Sequence, residues 1–544
     1  RHLDGQRQPI DQLDETLDLL RSPDRTAERR HSTLPAVIEW SQNLLRPDAG
    51  QLLSDLSVFA GPVTAADIAA VVGVEAAELV VGPLADLVDH SLVVADTAHQ
   101  PTRYHLLETI KACVADGRNP AVDQRHARHV TEAVQAADRG LRTPDEPTAL
   151  VRLETLIPEI RAAHRWARNN ATDLAAAITV ALLHYAHERQ WTEPVGWNRQ
   201  LLESLDGAGA EAGAGAGADD GDDNQRDLAA AAAAAAASLA ADASNRGAYD
   251  EAEVLARRAV DGGDPMVAAF AHDTLANIGL YTGDLELARS HAVATLYISL
   301  AAGDPTMWTV GVLNEVLALL YSGRVDQARQ RFDEHVAPAP LSPTCRAWLA
   351  YANGELLAVE GDAVGAIAAL DQAIELAGSV RNHFVVSVAT VSSLATRSQQ
   401  GDTEEALAAF GPVLAHYRRV WSLTHGVTAL RNLIGLLVRA ERDEPAMVLL
   451  GALSNPEVKS TYGAESELVT DARRTVEHRN PASTVTAWID RGRAQDATWA
   501  LDYAVELLAN AGGRPEASSL GPQRGHDGVV TDIDPNSTPG ASPS

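Results

Sequence analysis

The sequence predicts an all-α protein in which a winged-helix domain with a small β-wing is followed by an α-solenoid of repeated helical hairpins. Two observations lead to this prediction. Apolar residues recur at helical spacing along nearly the whole chain, and the alternation typical of strands occurs only near residues 91–107. A pattern Gly-x-x-x-x-Ala also returns at steps of 36, 40, 38 and 40 residues, as stacked helical hairpins require.

The winged-helix domain is predicted for residues 31–118. Segments 91–95 and 103–107 alternate as strands on either side of a polar turn, so they should form the hairpin of the wing. Cross-strand apolar pairs should hold this hairpin together. Four predicted helices precede it, near residues 34–40 and 52–56, from Thr64 as N-cap onward, and over residues 75–89.

The charge of the chain bears on whether this domain reads DNA. The 544 residues include 44 basic and 74 acidic ones, for a formal net charge of −30, which repels a phosphate backbone. Base readout normally uses Arg or Lys, and the candidate recognition helix has neither. We therefore expect no direct DNA binding. The carboxylates of this helix are Glu75, Glu78, Asp86 and Asp89.

The repeats predict the solenoid. We expect each glycine to end one helix in the left-handed conformation, and each alanine to let the two antiparallel helices approach closely. No hairpin can bury its apolar face alone, so neighbours should stack and create a concave binding surface. The pattern resembles tetratricopeptide repeats of somewhat longer period. The glycines are Gly247, Gly283, Gly323, Gly361 and Gly401, and a sixth copy has Glu441 and Ala446 at the two positions.

The other segments are assigned by composition. Residues 207–227 alternate Gly and Ala before an acidic run and predict a flexible loop, while Pro, Gly, Ser and Asp after residue 511 predict a disordered tail. We therefore expect the following divisions: 1–30, the end of a preceding domain; 31–118, the winged helix; 119–206, a helical repeat-like linker domain; 207–227, the loop; 228–455, the repeats; 456–511, a helical cap; and 512–544, the tail.

Cysteine usage and hydropathy favour a cytoplasmic protein without membrane contact. Cys113 and Cys345 are the only cysteines and lie far apart, so they predict no disulfide framework and no metal site. The longest apolar run, Leu228 to Ala241, is shorter than the roughly 20 residues of a membrane span, and no export signal is visible. Because Arg1 stands where a start methionine would, we expect a piece of a longer reading frame.

Motifs for catalysis are not found in this sequence. There is no phosphate-binding G-x-x-x-x-G-K-[ST] loop and no G-x-S-x-G, so we expect that the chain is not an enzyme. His187-Glu188 begins like a zinc-protease helix, but Trp191 occupies the second histidine position. His126 and His129 share a helix face without a third ligand nearby, which favours ordinary surface histidines over a metal site.

Several ordered motifs resemble a known family. They look like the region that follows the ATPase domain in large bacterial STAND regulators, the LuxR-type and AfsR or SARP-type ATPases with winged-helix and tetratricopeptide regions. Residues 1–30 resemble the last helices of the nucleotide-binding domain, most of which would lie before Arg1. The motifs are residues 30–34, 38–41, 56–61, 87–93, 104–110, 158–166 and 449–488.

The resemblance implies a switch. A nucleotide-binding core would be held closed in its ADP state by the winged helix, and the repeats would bind a protein or small-molecule inducer on their concave face. Tyr104-His105-Leu106 stands where related NB-ARC proteins have Met-His-Asp, whose histidine touches the phosphate of ADP, although Leu106 replaces the acidic residue. His105 is thus the best candidate site residue, and Arg30 and His31, next to Arg29, are further candidates for facing the phosphates.

Two other functions share these features. The chain could be a tetratricopeptide scaffold that gathers protein partners without any nucleotide, or the regulatory half of a fusion between a nucleotide cyclase and an ATPase. In each case the chain itself would hold no cofactor, and ADP or ATP would bind only to an upstream domain.

Overall fold

The computed structural model describes residues 34–212, 222–262, 264–335, 340–399, 403–455 and 463–509. Over these residues the protein is almost entirely helical, with one small sheet, and a winged-helix domain precedes a solenoid of helical hairpins. The predicted fold class is therefore confirmed. None of the helices in the described ranges is both long and apolar enough to cross a membrane.

The winged helix contains the first five helices and all three strands of the described chain. Its helices are α1 (Leu34–Gln42), α2 (Pro47–Asp55), α3 (Ala65–Val72), α4 (Glu78–Asp89) and α5 (Glu108–Val114). Its strands are β1 (Val63–Thr64), β2 (Val94–Asp96) and β3 (Arg103–His105), in the order β1-β3-β2. The sheet thus has a third strand that the sequence pattern did not predict.

Local chemistry explains where these elements begin. Thr64 is the N-cap of α3 and forms a capping box with Asp67, which satisfies free amide groups at the start of the helix. In the wing, Ala95 lies opposite Tyr104 and Asp96 lies opposite Arg103. An apolar pair and a charged pair therefore fix the register of the hairpin.

The chain then continues as a regular array of hairpins. They pair α6 (Pro120–Leu141) with α7 (Glu146–Asn170), α8 (Thr172–Glu188) with α9 (Glu193–Ala212), α10 (Asp222–Asn245) with α11 (Tyr249–Val260), α12 (Pro265–Thr282) with α13 (Leu285–Ala302), α14 (Pro305–Tyr321) with α15 (Val325–Glu334), α16 (Pro343–Glu360) with α17 (Ala363–Ser379), α18 (His383–Gln399) with α19 (Thr403–Arg419), and α20 (Leu423–Arg439) with α21 (Asp443–Ala452). Three further helices, α22 (Gly463–Arg479), α23 (Ala482–Arg493) and α24 (Ala497–Ala509), pack against the last hairpins.

The repeated glycines have the predicted conformation. Gly247, Gly283, Gly323 and Gly361 all have positive φ, and Gly401 lies outside the described residues. Glu441 takes the same turn in the last hairpin with φ of 59°. The repeated alanines are buried in all six hairpins that contain them, as a close approach of the two helices requires: Ala252, Ala288, Ala328, Ala366, Ala406 and Ala446.

The predicted flexible loop at 207–227 is largely replaced by helix. Helix α9 continues to Ala212 and α10 begins at Asp222, while residues 213–221 lie outside the described ranges, as does the predicted tail. Alanine is the strongest helix former, and carboxylates stabilise the amino-terminal end of a helix, so this composition supports helix as well as loop.

Helices of the array that are far apart in the sequence also contact each other. The Thr424 hydroxyl at the start of α20 donates to the carbonyl of Ser244 at the end of α10, over 2.6 Å. The ring of His187 at the end of α8 lies 4.9 Å from that of Phe384 at the start of α18. The carboxyl-terminal ends of α6, α8 and α10 and the start of α7 meet the amino-terminal ends of α14, α16, α18 and α20. We call this contact the seam.

Candidate functional site

A cavity at the base of the wing contains the best-supported site residue of the sequence analysis. Its volume is about 260 Å³, and it lies between the turn that follows α2, strand β1 and the connection from β3 to α5. His105, the last residue of β3, contributes to its wall. Most of the other lining side chains are apolar: Leu56, Phe59, Ala60, Pro62, Val63, Tyr104, Leu106 and Leu107, with Gly61 and Glu108 completing the wall.

The imidazole of His105 has an unused polar atom. Its Nδ1 is buried and has no hydrogen-bond partner among the described residues. A buried polar atom without a partner is unfavourable by about 1–3 kcal/mol, so a group that came within hydrogen-bond distance of Nδ1 would be stabilised. The geometry therefore suits His105 to contact a ligand or a partner. Arg30 and His31, with Arg29, lie outside the described residues, so their relation to this cavity is not defined.

The outer surface of the winged helix is unusually apolar. Leu79 and Val81 on α4 are 61% and 50% exposed, and Trp40 on α1 is 57% exposed. Helix α4 contains no Arg or Lys, and its Glu78 and Asp89 are exposed. Such a face can pack against protein, but it offers no cationic side chain from its own helix to a base edge or a phosphate.

The winged helix is joined to the first hairpin of the array by buried polar contacts. His126 on α6 and Glu159 on α7 are both buried and lie 2.7 Å apart, from Nε2 to Oε2. The second carboxylate oxygen of Glu159 accepts from the backbone N–H of Gly61 over 2.6 Å. The interpretation of His126 as a surface histidine was therefore wrong, because its helix face is covered by the winged helix.

Neighbouring contacts strengthen the same junction. Arg125 on α6 donates to the carbonyls of Val71 and Val72 at the end of α3, over 2.6 and 3.1 Å. His129, the partner of His126 in the sequence analysis, lies 3.1 Å from Asp67. The winged helix and the first hairpin thus form one packed unit. Within the described ranges, no three His, Cys, Asp or Glu side chains are grouped so that they could hold a metal ion.

A second polar cluster occupies the seam. Arg142, at the end of α6, donates to both carboxylate oxygens of Asp138 over 3.0 and 2.8 Å, and to Asp304 over 2.7 Å. Asp304 is the N-cap of α14 and accepts from the amides of Thr306 and Met307. One guanidinium therefore bridges two carboxylates from hairpins that are 162 residues apart.

The middle of the seam has a similar arrangement. Glu146, at the start of α7, accepts from the amide and the hydroxyl of Thr344 over 2.8 and 2.6 Å. Arg189 donates to Glu146 over 2.7 Å, to Glu188 over 2.5 Å and to the carbonyl of Val380 over 3.1 Å. Burial raises the pKa of Glu188 to about 7, although Arg189 acts in the opposite direction.

The sequence analysis did not identify the seam. Its members are single charged residues at helix ends, without a motif, and they come together only through the curvature of the array. The one available signal was His187-Glu188, which was examined as a zinc motif. His187 instead packs its ring against Phe270 and Phe384, at 5.6 and 4.9 Å between centroids.

Comparisons with known proteins agree with the winged helix. Residues 45–116 match the family model described as a winged helix-turn-helix domain. Proteins named "Putative HTH-type transcriptional regulator" from Mycobacterium bovis and from two strains of Mycobacterium tuberculosis are each 36% identical over 208 residues. The match covers 36% of this chain and 23% of each relative, so the chain spans about a quarter of their length.

One solved structure is also similar. It is a Signal Transduction ATPase with Numerous Domains, or STAND, protein with a tetratricopeptide repeat sensor from Pyrococcus horikoshii. The alignment covers 91% of this chain and 66% of that one, at 15% identity and a TM-score of 0.46. At that score it is a resemblance only. What the sequence match does establish is that this chain has a winged helix-turn-helix domain and is homologous, over the matched segment, to proteins named as HTH-type transcriptional regulators.

Proposed function

We propose that this chain is the regulatory module of a STAND-type signal-transduction ATPase, in a transcriptional regulator of the LuxR or AfsR kind. In this proposal the winged helix holds an upstream NB-ARC domain in its ADP state. The repeat array binds a protein or small-molecule inducer on its concave face. The chain itself has no catalytic role, and ADP or ATP binds only to the upstream domain.

Two observations support this proposal most directly: His105 lies in the wall of the cavity at the base of the wing, and its buried Nδ1 has no partner among the described residues. A phosphate oxygen that reached this atom would give a buried polar group its only partner. A hydrogen bond to a charged group contributes about 1.5–3 kcal/mol, which is within the range of allosteric coupling energies. The exposed apolar side chains of α1 and α4 provide a surface on which the upstream domain could pack.

The test uses a longer protein that begins upstream of Arg1 and includes any nucleotide-binding domain. His105→Ala should weaken ADP binding by about ten-fold or more, as loss of a charged hydrogen bond predicts. His99→Ala is the matched control, because His99 lies in the same wing with a side chain that is 57% exposed. Isothermal titration of ADP measures both variants. Equal affinities for His105→Ala, His99→Ala and the unchanged protein would contradict the clamp and favour the scaffold function.

The upstream sequence separates the remaining alternatives. A phosphate-binding loop upstream of Arg1 would support the ATPase, and a cyclase domain before that loop would support the cyclase fusion. Without a nucleotide-binding domain the repeat array would be better explained as a protein scaffold.

The name of the matched domain suggests direct DNA binding, whereas the side chains of α4 do not favour it. We propose that α4 contacts protein, because its exposed side chains are apolar or acidic. Fluorescence anisotropy with labelled duplex DNA, at low and at physiological salt, tests this. Saturable, salt-dependent binding by residues 34–212 would show that the winged helix does bind DNA.

A further inference from the structure

The seam is rich in charged groups with little exposure, whereas the contacts between neighbouring hairpins are mostly apolar. Neighbouring hairpins pack through alanine and leucine, as in the cluster that contains Ala288, Val312 and Leu356. The seam instead contains two guanidinium groups and several carboxylates with little exposure, among them Arg142, Arg189, Glu146 and Asp304. Contacts between parts that separate and rejoin are typically more polar than a folding core.

The polar groups of the seam are not fully satisfied. The Nε atoms of Arg142 and Arg189 are buried without a hydrogen-bond partner among the described residues. Burial also raises the pKa of Asp138, despite the nearby charge of Arg142. Removing paired charges from water has a desolvation penalty that can equal or exceed their attraction, so such contacts add little net stability. The charged pairs therefore stabilise the closed seam only slightly over a hydrated, open one.

The two sides of the seam belong to different parts of the array. One side is formed by the first hairpins, which are joined to the winged helix through Glu159, Gly61 and Arg125. The other side is formed by the amino-terminal ends of α14, α16, α18 and α20. A movement at the seam would shift the winged helix and the first hairpin together, relative to the later hairpins.

We propose that the seam is a reversible intramolecular latch, which opens between the first hairpins and the later ones and so changes the position of the winged helix relative to the distal repeats. Opening rehydrates Arg142, Glu146 and Arg189, and leaves the apolar contacts inside each hairpin intact. A partner that binds the open array better than the closed one would move the winged helix without touching it. This inference goes beyond the proposed function and requires no nucleotide.

The first experiment weakens the centre of the latch. Glu146→Gln keeps the shape of the side chain but removes the charge that pairs with Arg189 and accepts from Thr344. Hydrogen–deuterium exchange at the Thr344 and Cys345 amides should become at least about ten-fold faster, because an opened amide loses its protection. Amides in the middle of α16 and in α3 should keep their rates, and small-angle X-ray scattering should give a larger radius of gyration.

A second variant tests the latch at its exposed rim, where no buried charge is left unpaired. Arg381, whose side chain is 60% exposed, pairs with Glu154 across the seam, and Gln190 contacts His416 nearby. The double change Arg381→Ala with Gln190→Ala should raise exchange at the same amides by about two- to five-fold. Arg257→Ala is the control, since exposed Arg257 pairs only with Glu253 on its own helix in the contacts described.

Two results would overturn the latch. Unchanged exchange and an unchanged radius of gyration in both variants would mean that the seam does not open. Loss of protection throughout α16 and α18, together with the seam amides, would mean that the seam is part of the folding core. If Glu146→Gln fails to fold, the rim variant decides between these outcomes and the latch. All readouts are made on this chain alone, so they are independent of the nucleotide clamp.

Discussion

The winged helix and the repeat array differ in how far apart in the sequence their charged groups find partners. Among the residues that the structure describes, the buried Nδ1 of His105 in the winged helix has no partner, and Leu79, Val81 and Trp40 are exposed. The array, by contrast, brings together the charged ends of distant helices, so that Arg142 and Arg189 find carboxylates within the same chain. The contrast supports the proposal that the winged helix offers a surface to another domain, whereas the array pairs many of its charged groups within the chain.

The largest loss of stability is expected for Arg189→Met, which removes a cation from the seam. It would leave the carboxylates of Glu146 and Glu188 buried without their cation, and breaking a buried pair on one side is unfavourable by about 3–5 kcal/mol. Native-state hydrogen exchange in α8 and α16 should show this loss in opening free energy. The exposed control, Arg257→Met, should stay within about 0.5 kcal/mol of the unchanged protein. A loss below about 1 kcal/mol for Arg189→Met would contradict a stabilising role of the cluster.

Acid should also affect the array, through His425 at the start of α20. Burial lowers the pKa of His425 to about 3, and His187 is the other titratable group that opposes its charge. The unfolded chain takes up the proton near pH 6.5 and the folded chain does not, so this stability is complete above pH 6.5 and is lost as pH falls. Relative to the unchanged protein, His425→Phe should therefore gain about 1.4 kcal/mol per pH unit below pH 6.5.

The measurement is urea unfolding of both proteins at pH 7 and at pH 5. Only the difference between them is interpreted, because the raised pKa values of Glu188 and Asp273, both about 7, contribute in the opposite direction in both proteins. A difference in unfolding free energy that is the same at the two pH values would show that His425 does not take part.

Packing inside a hairpin can be tested without changing any charge. A Cβ at Gly279 would lie 2.7 Å from the backbone nitrogen of Ala288 and 2.8 Å from the carbonyl oxygen of Asp284. Gly279→Ala should therefore reduce the unfolding free energy by about 1–3 kcal/mol, as overpacking does. Gly378→Ala is the matched control, since a Cβ there meets nothing within 4 Å. Equal stability of the two variants would mean that the helices of a hairpin can separate slightly without loss.

A substitution in the turn of the last hairpin should stabilise the protein by a smaller amount. Glu441 has φ of 59°, where the other described copies have glycine. Glu441→Gly should raise the unfolding free energy by about 0.5–1 kcal/mol, because the left-handed conformation is unfavourable for a side chain. The reverse change, Gly361→Ala, should lower it, since Gly361 has φ of 87° with open space around its Cα. Thermal unfolding of both variants shows whether the melting temperature rises for Glu441→Gly and falls for Gly361→Ala. A lower melting temperature for Glu441→Gly would contradict this reasoning.

The smallest effect is expected on the winged helix. Leu79→Ser together with Val81→Ser changes two exposed side chains of α4, so the stability of this chain should stay within about 0.5 kcal/mol. Differential scanning calorimetry measures it, with buried Leu84→Ser as a destabilising control. A marked loss of stability would mean that these side chains support the domain itself and are not free for a partner.

The fold could be predicted from the sequence because it depends on local signals that repeat. Gly283 predicts a turn and Ala288 predicts a close contact between two helices, and the recurrence of both residues predicts the solenoid. His105 was chosen as a site residue through a resemblance, and the cavity beside it and its buried, unpaired Nδ1 are visible only in the structure. The third strand was missed because Val63–Thr64 is too short to show alternation.

The seam could not have been predicted from the same signals. Arg142 and Asp304 are 162 residues apart, and their meeting depends on small rotations summed over several hairpins. The helical ends of the loop predicted at 207–227 were missed for a different reason. An alternation of Gly and Ala has no apolar periodicity, so the pattern does not predict a helix. Alanine nevertheless has the highest intrinsic helix propensity, so the segment can extend a neighbouring helix.

The seam also changes how the array should fold and unfold. An open solenoid behaves as a one-dimensional chain of repeats, so it can unravel from either end one repeat at a time. Here Ser244 is held by Thr424 and Glu146 by Thr344, so the early repeats cannot leave without releasing the later ones. Such long-range closure raises contact order, which slows folding. The array should therefore unravel from its early repeats only after the latch has opened, and the seam should form late in folding.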